Sequence, residues 1–395
     1  MDWVKVKLEK IAEEKRESYE PNSEESLNYI GLEHIEQQTL RLNGTGRSNE
    51  TISSKKKFSS GDILFGSLRP YFRKVYKPNF NGVCSTDITV IRSKQNFSQE
   101  YLFYLVANQS FIDYATNYSN GTRMPRTNWK VISKSEWKVP KDKCDQQKIA
   151  SILSAYDDLI ENNTRRIKIL EEMAQTIYKE WFVNFRFPGY EKVKFVESQL
   201  GNLSNGQTRI PNGWEVKKLN EIANIQMGQS PKSEYYNNEG DGLPFHQGVK
   251  DFSNRFPNHT IFCTYQGRIA NKGDILLSVR APVGRLNISP SKIVIGRGLS
   301  SIKHKKNYQS FLYYKLREIF REEDSMGSGA IFNAVTKSDL FNLEILLPNN
   351  SLDKKFNEKV EAIDKEIEIF TLKNQNLHKT RDLLLPKLIS GEVEV

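Results

Sequence analysis

The segment Ile149–Trp181 reads IASILSAYDDLIENNTRRIKILEEMAQTIYKEW, and the spacing of its apolar residues decides the fold. Positions four and then three residues apart form a stripe that consists of Ile149, Leu153, Tyr156, Ile160, Asn163, Ile167, Leu170, Ala174, Ile177 and Trp181. This rhythm is typical of a helix that buries one narrow face against another helix. At 1.5 Å per residue the helix would be about 48 Å long, which exceeds an ordinary globular helix.

A second stripe lies near the end of the chain, at an offset of 207 residues. It consists of Phe356, Val360, Ile363, Ile367, Phe370, Asn374, Leu377, Arg381 and Leu384. One chain therefore carries two helices that could pair with each other. The spacing favours a coiled-coil pair over the alternative, in which each helix belongs to an unrelated core.

The chain also contains an internal repeat. WVKVKL at Trp3–Leu8 returns as WEVKKL at Trp214–Leu219, and GDIL at Gly61–Leu64 returns at Gly273–Leu276. Later matches include Val83–Arg92 with Val294–Lys303, Leu102–Tyr104 with Leu312–Tyr314, and Pro140 with Pro348. Because the offset falls only from 212 to 207, the two halves are versions of one unit.

Each copy mixes short β-favouring runs with helical spacing, so the fold class is α+β. We predict strands at Ile63–Phe65, Ile88–Ile91, Ile275–Val279 and Leu343–Leu347, and helices at Glu100–Thr116 and Gln309–Phe320. Asp142 or Asp145 would cap the first long helix, and Asn350 or Ser351 the second. The predicted order is a first domain at 1–140, a helix at 141–185, a Gly-, Asn-, Ser- and Pro-rich linker at 186–212, a second domain at 213–348, and a helix at 349–395.

Composition narrows the class of protein. The 58 Lys and Arg residues exceed the 48 Asp and Glu residues, and the sequence pI is 9.2, which favours an acidic partner such as nucleic acid. The three cysteines are far apart and predict neither a disulfide framework nor a zinc site. No apolar run approaches the roughly 20 residues of a membrane span, and the N-terminus has no apolar signal core. We therefore expect a cytoplasmic protein that does not contact a membrane.

No catalytic motif is visible in the sequence. The five histidines form no HExxH pattern, and neither a GxxxxGK phosphate loop nor a GxSxG elbow occurs. The Asn-Pro-Pro-Tyr type of tetrapeptide with which amino-methyltransferases hold an extruded base is also missing. We predict that the chain is not an enzyme and holds neither a metal nor a cofactor.

Arginines in loops are the candidate DNA contacts, because a guanidinium can bind phosphate or fork onto a guanine edge. SLRPYFRK at Ser67–Lys74 and SVRAPVGR at Ser278–Arg285 follow matched strands. For Arg69 and Arg280, DNA contact and a structural role are equally supported. The candidates from these two segments are Arg69, Arg73, Lys74, Arg280 and Arg285.

A second loop, NGTRMPR at Asn120–Arg126, carries two arginines, with Gly121 supplying a turn. Its counterpart at Gly327–Asn333 lacks both, so the two copies should read different sequences. Arg297, between two glycines, replaces Thr86 of the first copy, although a plain surface charge explains it equally well. These observations add Asn120, Thr122, Arg123, Arg126, Arg297 and Ser328 to the candidate DNA-binding residues.

The whole chain resembles the specificity subunit of a type I restriction-modification system. The central region of that family is similar to QQKIASILSAYDDLI at Gln146–Ile160, with Trp181–Val183 and FPGYE at Phe187–Glu191. Ile210–Val216 (IPNGWEV) resembles the start of the second recognition domain, and Leu384–Val393 (LLPKLISGEV) resembles the terminal signature.

This resemblance implies that each α+β domain is a target recognition domain that reads one half of a bipartite DNA site. The two helices would pair antiparallel as a spacer. Two methyltransferase subunits would bring S-adenosylmethionine and the adenine-methylating site, and up to two restriction subunits would bring ATP and Mg²⁺. Asn163, Asn374 and Arg381 would either fix the helix register or face solvent or the methyltransferase. The alternatives are a coiled-coil scaffold without DNA specificity and an unrecognised nuclease or methyltransferase.

Overall fold

The computed structural model describes residues 1–198, 208–321, 334–348 and 351–395. These residues form two units. Unit 1 combines residues 1–165 with 370–395, and unit 2 comprises residues 166–369. The border between the units falls inside both long helices rather than at the predicted domain edges. Each α+β domain is thus built together with a segment of each helix, because the buried stripe packs into the core of its own unit.

Unit 1 is an α+β domain whose sheets bring distant strands together. β1 pairs with β11, a four-stranded sheet has the order β2-β10-β7-β8, and a five-stranded sheet has the order β3-β6-β9-β4-β5. The elements are β1 (Trp3–Lys7), α1 (Leu8–Ile11), β2 (Ala12–Lys15), β3 (Ser18–Tyr19), β4 (Asn28–Ile30), β5 (Gly46–Arg47), β6 (Lys55–Phe58), β7 (Ile63–Gly66), β8 (Val75–Tyr76), β9 (Gly82–Cys84), β10 (Ile88–Ser93), α2 (Gln99–Ala107), α3 (Gln109–Asn117), α4 (Trp129–Ile132), β11 (Glu136–Pro140) and α5 (Lys143–Tyr178).

Unit 2 repeats this plan. β14 pairs with β24, and the four-stranded sheet β15-β23-β20-β21 matches β2-β10-β7-β8 strand for strand. A five-stranded sheet follows the order β16-β18-β17-β22-β19, and β12 pairs with β13. The elements are β12 (Phe195–Glu197), β13 (Arg209–Pro211), β14 (Glu215–Lys218), α6 (Leu219–Ile222), β15 (Ala223–Met227), β16 (Tyr236–Asn237), β17 (Leu243–His246), β18 (Phe262–Cys263), β19 (Ile269–Ala270), β20 (Ile275–Ser278), β21 (Leu286–Ile288), β22 (Ile293–Ile295), β23 (Leu299–His304), α7 (Gln309–Ile319), α8 (Lys337–Asn342), β24 (Glu344–Leu347) and α9 (Leu352–Ser390).

The repeated Gly-Asp pair has the same structural role in both units. Gly61 and Gly273 have φ angles of +86° and +83°, a left-handed conformation that favours glycine. The following aspartates, Asp62 and Asp274, each accept a hydrogen bond of 2.8 Å from the backbone N–H three residues earlier. This turn starts the central strand of each four-stranded sheet. The internal repeat predicted from the sequence is therefore confirmed in the fold.

Two local predictions were wrong. The predicted helix Glu100–Thr116 is two helices, α2 and α3, which are separated at Asn108. Asn108 has an extended backbone, and its carbonyl accepts from the N–H groups of Phe111 and Ile112, so it ends one helix and starts the next. The segment 186–212 is also more than a linker. Phe187 is buried against the Trp214 ring at 5.8 Å, and β12 and β13 pair within this segment.

Both long helices form with the predicted stripe inward. α5 continues as a π-helical turn at Lys179–Val183, and Asp142 caps its start by accepting from the Cys144 N–H at 2.8 Å. Asn350 lies outside the described residues. In unit 2, the rings of Tyr178 and Trp181 contact Phe356 at 5.8 and 6.0 Å. The late turns of α5 thus meet the early turns of α9, which makes the pair antiparallel in this unit.

The polar stripe residues of unit 1 face each other. The Asn163 side chain donates to the Asn374 Oδ1 at 2.9 Å, and Asn374 donates to the Thr164 hydroxyl at 3.1 Å. Both asparagines are only 9% exposed. A buried amide pair of this kind is satisfied in one helix register only, so of the two interpretations left open by the sequence, the register interpretation holds.

A buried arginine and its carboxylate partner hold the α+β domain of unit 1 to its helices. Asp157 of α5 accepts a hydrogen bond from the Tyr104 hydroxyl of α2 at 2.7 Å and pairs with Arg381 of α9 at 2.5 Å. Arg381 has no exposed surface. Burial alone would lower the pKa of its guanidinium, but the carboxylates of Asp157 and Asp382 outweigh burial and raise that pKa. The stripe arginine is therefore an internal counterion.

Unit 2 contains a matching arrangement with a different arginine. Asp364 of α9 accepts from the Tyr314 hydroxyl of α7 at 3.1 Å and pairs with Arg255 at 2.5 Å. Arg255 is 2% exposed, and its guanidinium lies 4.5 Å from the centre of the Tyr313 ring. Tyr104 and Tyr314 are 210 residues apart, and Asp157 and Asp364 are 207 apart, so the tyrosine–aspartate pair belongs to the repeat. The repeat matches the two tyrosines in sequence, whereas their contact with the aspartates is visible only in the fold.

We expect Asp157→Asn to destabilise unit 1 by about 3 kcal/mol, because it leaves a buried arginine with only its partly exposed second carboxylate. The measurement is urea-dependent hydrogen exchange of α2 amides in the full chain. Asp158→Asn, which changes the neighbouring exposed carboxylate, is the control and should alter this stability little. A loss below about 1 kcal/mol for Asp157→Asn would show that the ion pair does not hold the domain.

The asparagine pair predicts a non-additive result. Asn163→Leu alone leaves the Asn374 carbonyl oxygen buried without its donor, which should cost about 1–3 kcal/mol, whereas the double change to Leu should recover most of that loss. A double-mutant cycle by urea unfolding of the full chain measures the coupling. Additive effects of the two single changes would contradict the contact.

Candidate nucleic-acid interface

In unit 1 the two predicted arginine loops meet, although about 50 residues separate them in sequence. Leu68 and Asn120 both form bridges to Arg126, and the Arg69 N–H donates to the Pro125 carbonyl at 2.7 Å. Arg69 has a φ of +50°, so its backbone turns sharply at this point. The loops Ser67–Phe72 and Asn120–Arg126 therefore form one surface, which we call the arginine surface.

The side chains of the arginine surface are available to a partner. Arg123 and Arg126 are exposed, as are Asn120 and Thr122, and Arg126 pairs with Asp87 at 2.8 Å. Arg69 is less exposed, and its terminal nitrogen donates to the Arg123 carbonyl at 3.5 Å. Its buried Nε has no hydrogen-bond partner among the described residues. Arg69 therefore supports the loop of Arg123, which is the structural role considered from the sequence, and its contact with DNA stays a prediction.

Glycine is required in the second loop. Gly121 has a φ of +96°, and a Cβ at this position would lie 3.3 Å from the Met124 carbonyl oxygen.

Exposed apolar residues in and beside these loops were not among the residues predicted from the sequence. Met124 is 57% exposed, Tyr118 is 59% exposed and Tyr71 is 44% exposed. Their position close to arginine in the sequence could have identified them, because apolar and aromatic side chains in nucleic-acid-binding proteins contact thymine methyl groups and bases.

Two candidates of unit 1 are corrected by the structure. Arg73 is 8% exposed and donates to the Ala107 carbonyl at 2.8 Å and to Asp382 at 3.2 Å. Lys74 is half-buried and donates to the Leu32 carbonyl. Burial lowers the pKa of both side chains. The prediction that Arg73 contacts DNA was wrong, because its charge is used inside the unit, and Lys74 is likewise held by the fold.

In unit 2 the segments of Arg280 and Arg297 are neighbours. The Val279 N–H donates to the Gly298 carbonyl at 2.9 Å, and both arginines are exposed. Arg280 forms a bridge to Ala334, in the same way that Leu68 bridges to Arg126 in unit 1. A Cβ on Gly298 would lie 2.5 Å from the Gln247 carbonyl oxygen, so the glycine beside Arg297 permits a close backbone approach. Ser328 lies outside the described residues.

Arg285 belongs to another part of unit 2. Its backbone N–H donates to the Ser278 hydroxyl at 2.8 Å, and it lines a cavity of about 560 Å³ beside α5 and α7, together with Lys179, Arg317 and Arg321. The structure therefore brings Arg280 and Arg297 together and places Arg285 next to the long helix. Arg285 and Arg73 occupy matching helix-side positions of the two units.

Neither a metal-binding cluster nor a membrane-spanning helix is found in the described parts of the chain. Within the described ranges, no group of three or more His, Cys, Asp and Glu side chains could hold a metal ion. Among the same residues, no helix combines the length and apolar character needed to cross a membrane.

Comparison with known proteins identifies the family. The sequence profile described as "Type I restriction modification DNA specificity domain" matches residues 1–172 and 211–379. The MjaX protein of Methanocaldococcus jannaschii, a proposed type I restriction enzyme specificity subunit, is 33% identical over 358 residues, which are 87% of this chain and 80% of that protein. The HindI specificity subunit of Haemophilus influenzae is 27% identical over 410 residues, with 86% of this chain and 88% of that protein covered.

A solved structure supports the fold. The crystal structure of the type I restriction-modification S subunit from M. genitalium has a TM-score of 0.62 and 16% identity to this chain, with 98% of this chain and 96% of that chain covered. The match extends over both copies of the repeat and both long helices. The family profile and the MjaX relative show that the chain belongs to the specificity subunits of type I restriction-modification systems.

Proposed function

We propose that the chain reads a bipartite DNA sequence, with one half-site recognised by each unit. The single observation that carries this proposal is the arginine surface and its counterpart around Arg280 and Arg297. In each unit a β-bridge, Leu68 with Arg126 or Arg280 with Ala334, joins two loops beside the corresponding strand of the repeat. The exposed side chains at these two places differ. Exposed arginine, asparagine and threonine side chains suit both phosphate and base contacts.

Partner subunits would supply the chemistry in this proposal. Two methyltransferase subunits would bind S-adenosylmethionine, and up to two restriction subunits would bind ATP and Mg²⁺, while this chain contributes recognition only. Exposed apolar residues on the long helices support docking of a protein partner, because a partner that covers them removes apolar surface from water. They are Leu159, Leu372 and Leu383 in unit 1, and Ile169, Met173 and Ile369 in unit 2.

Arg123→Ala should weaken DNA binding and lower the slope of log affinity against log salt by about 0.9 if Arg123 contacts a phosphate. The probe is a duplex that carries the sequence methylated in a host expressing this chain with its methyltransferase. Arg165→Ala, on an exposed helix position paired with Glu161, is the charge-matched control and should leave affinity and slope unchanged. Arg73→Ala should instead lower the stability of unit 1 and leave the slope unchanged.

These expectations separate a DNA contact from a surface charge. If Arg123→Ala and Arg165→Ala behave alike in affinity and in slope, the arginine surface does not bind DNA, and the proposal loses its main support.

The repeat predicts that half-site identity travels with the domain. Replacing Gly213–Leu347 by a copy of Asp2–Val139 would bring the Tyr104 of the copy to Asp364 but would remove Arg255. Position 174, which matches Arg381 at the repeat offset, is a buried alanine. The chimera should therefore also carry Ala174→Arg, so that the carboxylate of Asp364 keeps a cation.

We expect the chimera to direct methylation to an inverted repeat of the first half-site, as measured by mapping methylated adenines in the host genome. The matched control is the full chain whose only change is Ala174→Arg. Recovery of the original second half-site from the chimera would place specificity outside the domains and would overturn the two-reader proposal.

A further inference from the structure

Unit 2 contains a cleft of about 480 Å³ that is lined by residues outside the predicted DNA-binding set. It lies between the segments Gln229–Lys232 and Tyr265–Arg268, with Tyr235 on its wall. Arg297 is adjacent, because its N–H donates to the hydroxyl of Ser230, a lining residue, at 3.2 Å. The cleft is thus continuous with the part of unit 2 that carries an exposed candidate arginine.

The two segments that form the cleft are held by one strand. The Gln229 N–H donates to the Ile295 carbonyl at 3.0 Å, and the Ile295 N–H donates to the Arg268 carbonyl at 2.9 Å. Gln226 also donates from its side chain to the Ile269 carbonyl at 3.1 Å. Both walls are therefore tied to β22, whose three residues are completely buried. A site on such a support is preorganised, which reduces the entropic cost of binding.

The lining is aromatic, polar and cationic. The rings of Tyr235 and Tyr265 stack with centres 5.3 Å apart, and Tyr265 is 51% exposed. The amides of Gln229 and Gln266 are exposed beside the cations Lys232 and Arg268, and no lining residue is acidic. Ser230 donates to the Gln247 side chain at 2.8 Å, so its hydroxyl is fixed. Neither a metal ion nor an apolar ligand matches these groups, whereas a nucleotide does.

We propose that this cleft reads a base of the DNA half-site recognised by unit 2. A glutamine amide can donate to and accept from an adenine edge at once, so Gln229 and Gln266 would select the base. Arg268 and Lys232 would hold the flanking phosphates, and the Tyr265 ring would pack on the exposed base or sugar. The inference rests on the proposed function, and it names specificity residues that lie outside the arginine loops.

The repeat supports a role in discrimination. At the repeat offset, the segment of unit 1 that corresponds to Tyr265–Arg268 is Ser53–Lys56, which contains neither an aromatic residue nor a glutamine. In unit 1, Lys55 bonds to Ser53 and Lys56 donates to the Ile88 carbonyl at 2.8 Å, so these cations are used within the fold. The cleft chemistry is therefore particular to unit 2, as residues that read one half-site should be.

The test is selection of bound sequences from duplex DNA with a randomised stretch, using the full chain with its methyltransferase. The unaltered chain should enrich two half-sites. Gln229→Ala with Gln266→Ala should reduce base preference about 5- to 140-fold at one or two adjacent positions of a single half-site. Arg123→Ala should leave those positions unchanged. Gln266→Glu, which removes the amide donor, should change the preferred base there.

Control variants distinguish a loss of folding from a loss of base recognition. Lys303→Ala changes an exposed cation on β23 and should leave both half-sites intact, and the thermal midpoint of each variant reports folding. If the glutamine variants fold and select the original sequence, the cleft does not read a base. An equal loss of affinity for all sequences would also overturn the inference. If the unaltered chain enriches no sequence, the proposed function itself fails.

Discussion

One carboxylate in each unit holds the recognition domain on the long helices. Asp157 and Asp364, which are partly buried, each bind a tyrosine hydroxyl from the domain and an arginine that has almost no access to water. The buried arginine is stable only while its carboxylate is in place, because an unpaired buried charge costs several kcal/mol. The contact therefore admits one docking geometry of α2 on α5 in unit 1 and of α7 on α9 in unit 2. The docking of these helices therefore also determines where the loops with exposed arginines lie, since the loops belong to the same domain.

The repeat separates what is constant from what varies. The left-handed glycine, the aspartate turn and the strand order of the four-stranded sheet are the same in both units, because each satisfies a backbone requirement that any sequence with this fold must meet. The exposed residues at the matched bridges are different, with Arg126 in one unit and Ala334 in the other. No backbone requirement constrains these side chains. A scaffold of this kind can change the side chains it presents to a partner without changing its core.

Periodicity and self-similarity predicted most of the architecture, because they depend on local spacing. The stripes, the central strands and the repeat could all be read from residues that are near one another or at a constant offset. Local spacing could not show that Arg73 is buried whereas Arg123 is exposed. Both arginines are in loops, but the partners of Arg73 are distant in sequence, since it donates to the Ala107 carbonyl and to Asp382, which lies 309 residues later. The cleft of unit 2 was missed for a similar reason, since Gln229 and Arg268 become neighbours only through Ile295.

The two units also differ in when they can form during synthesis. Unit 2 is one continuous stretch of chain, residues 166–369, and its anchoring Arg255 is made before its aspartate. Unit 1 is discontinuous, because Arg381, Leu385 and Leu388 complete a core whose other residues were made before residue 166. A growing chain therefore carries an incomplete first domain, with Asp157 lacking Arg381, until residues 370–395 have left the ribosome. A chain that stopped between residues 369 and 381 would contain all of unit 2 but would lack the counterion of unit 1, so folding of the first domain depends on a segment that is made after the second domain.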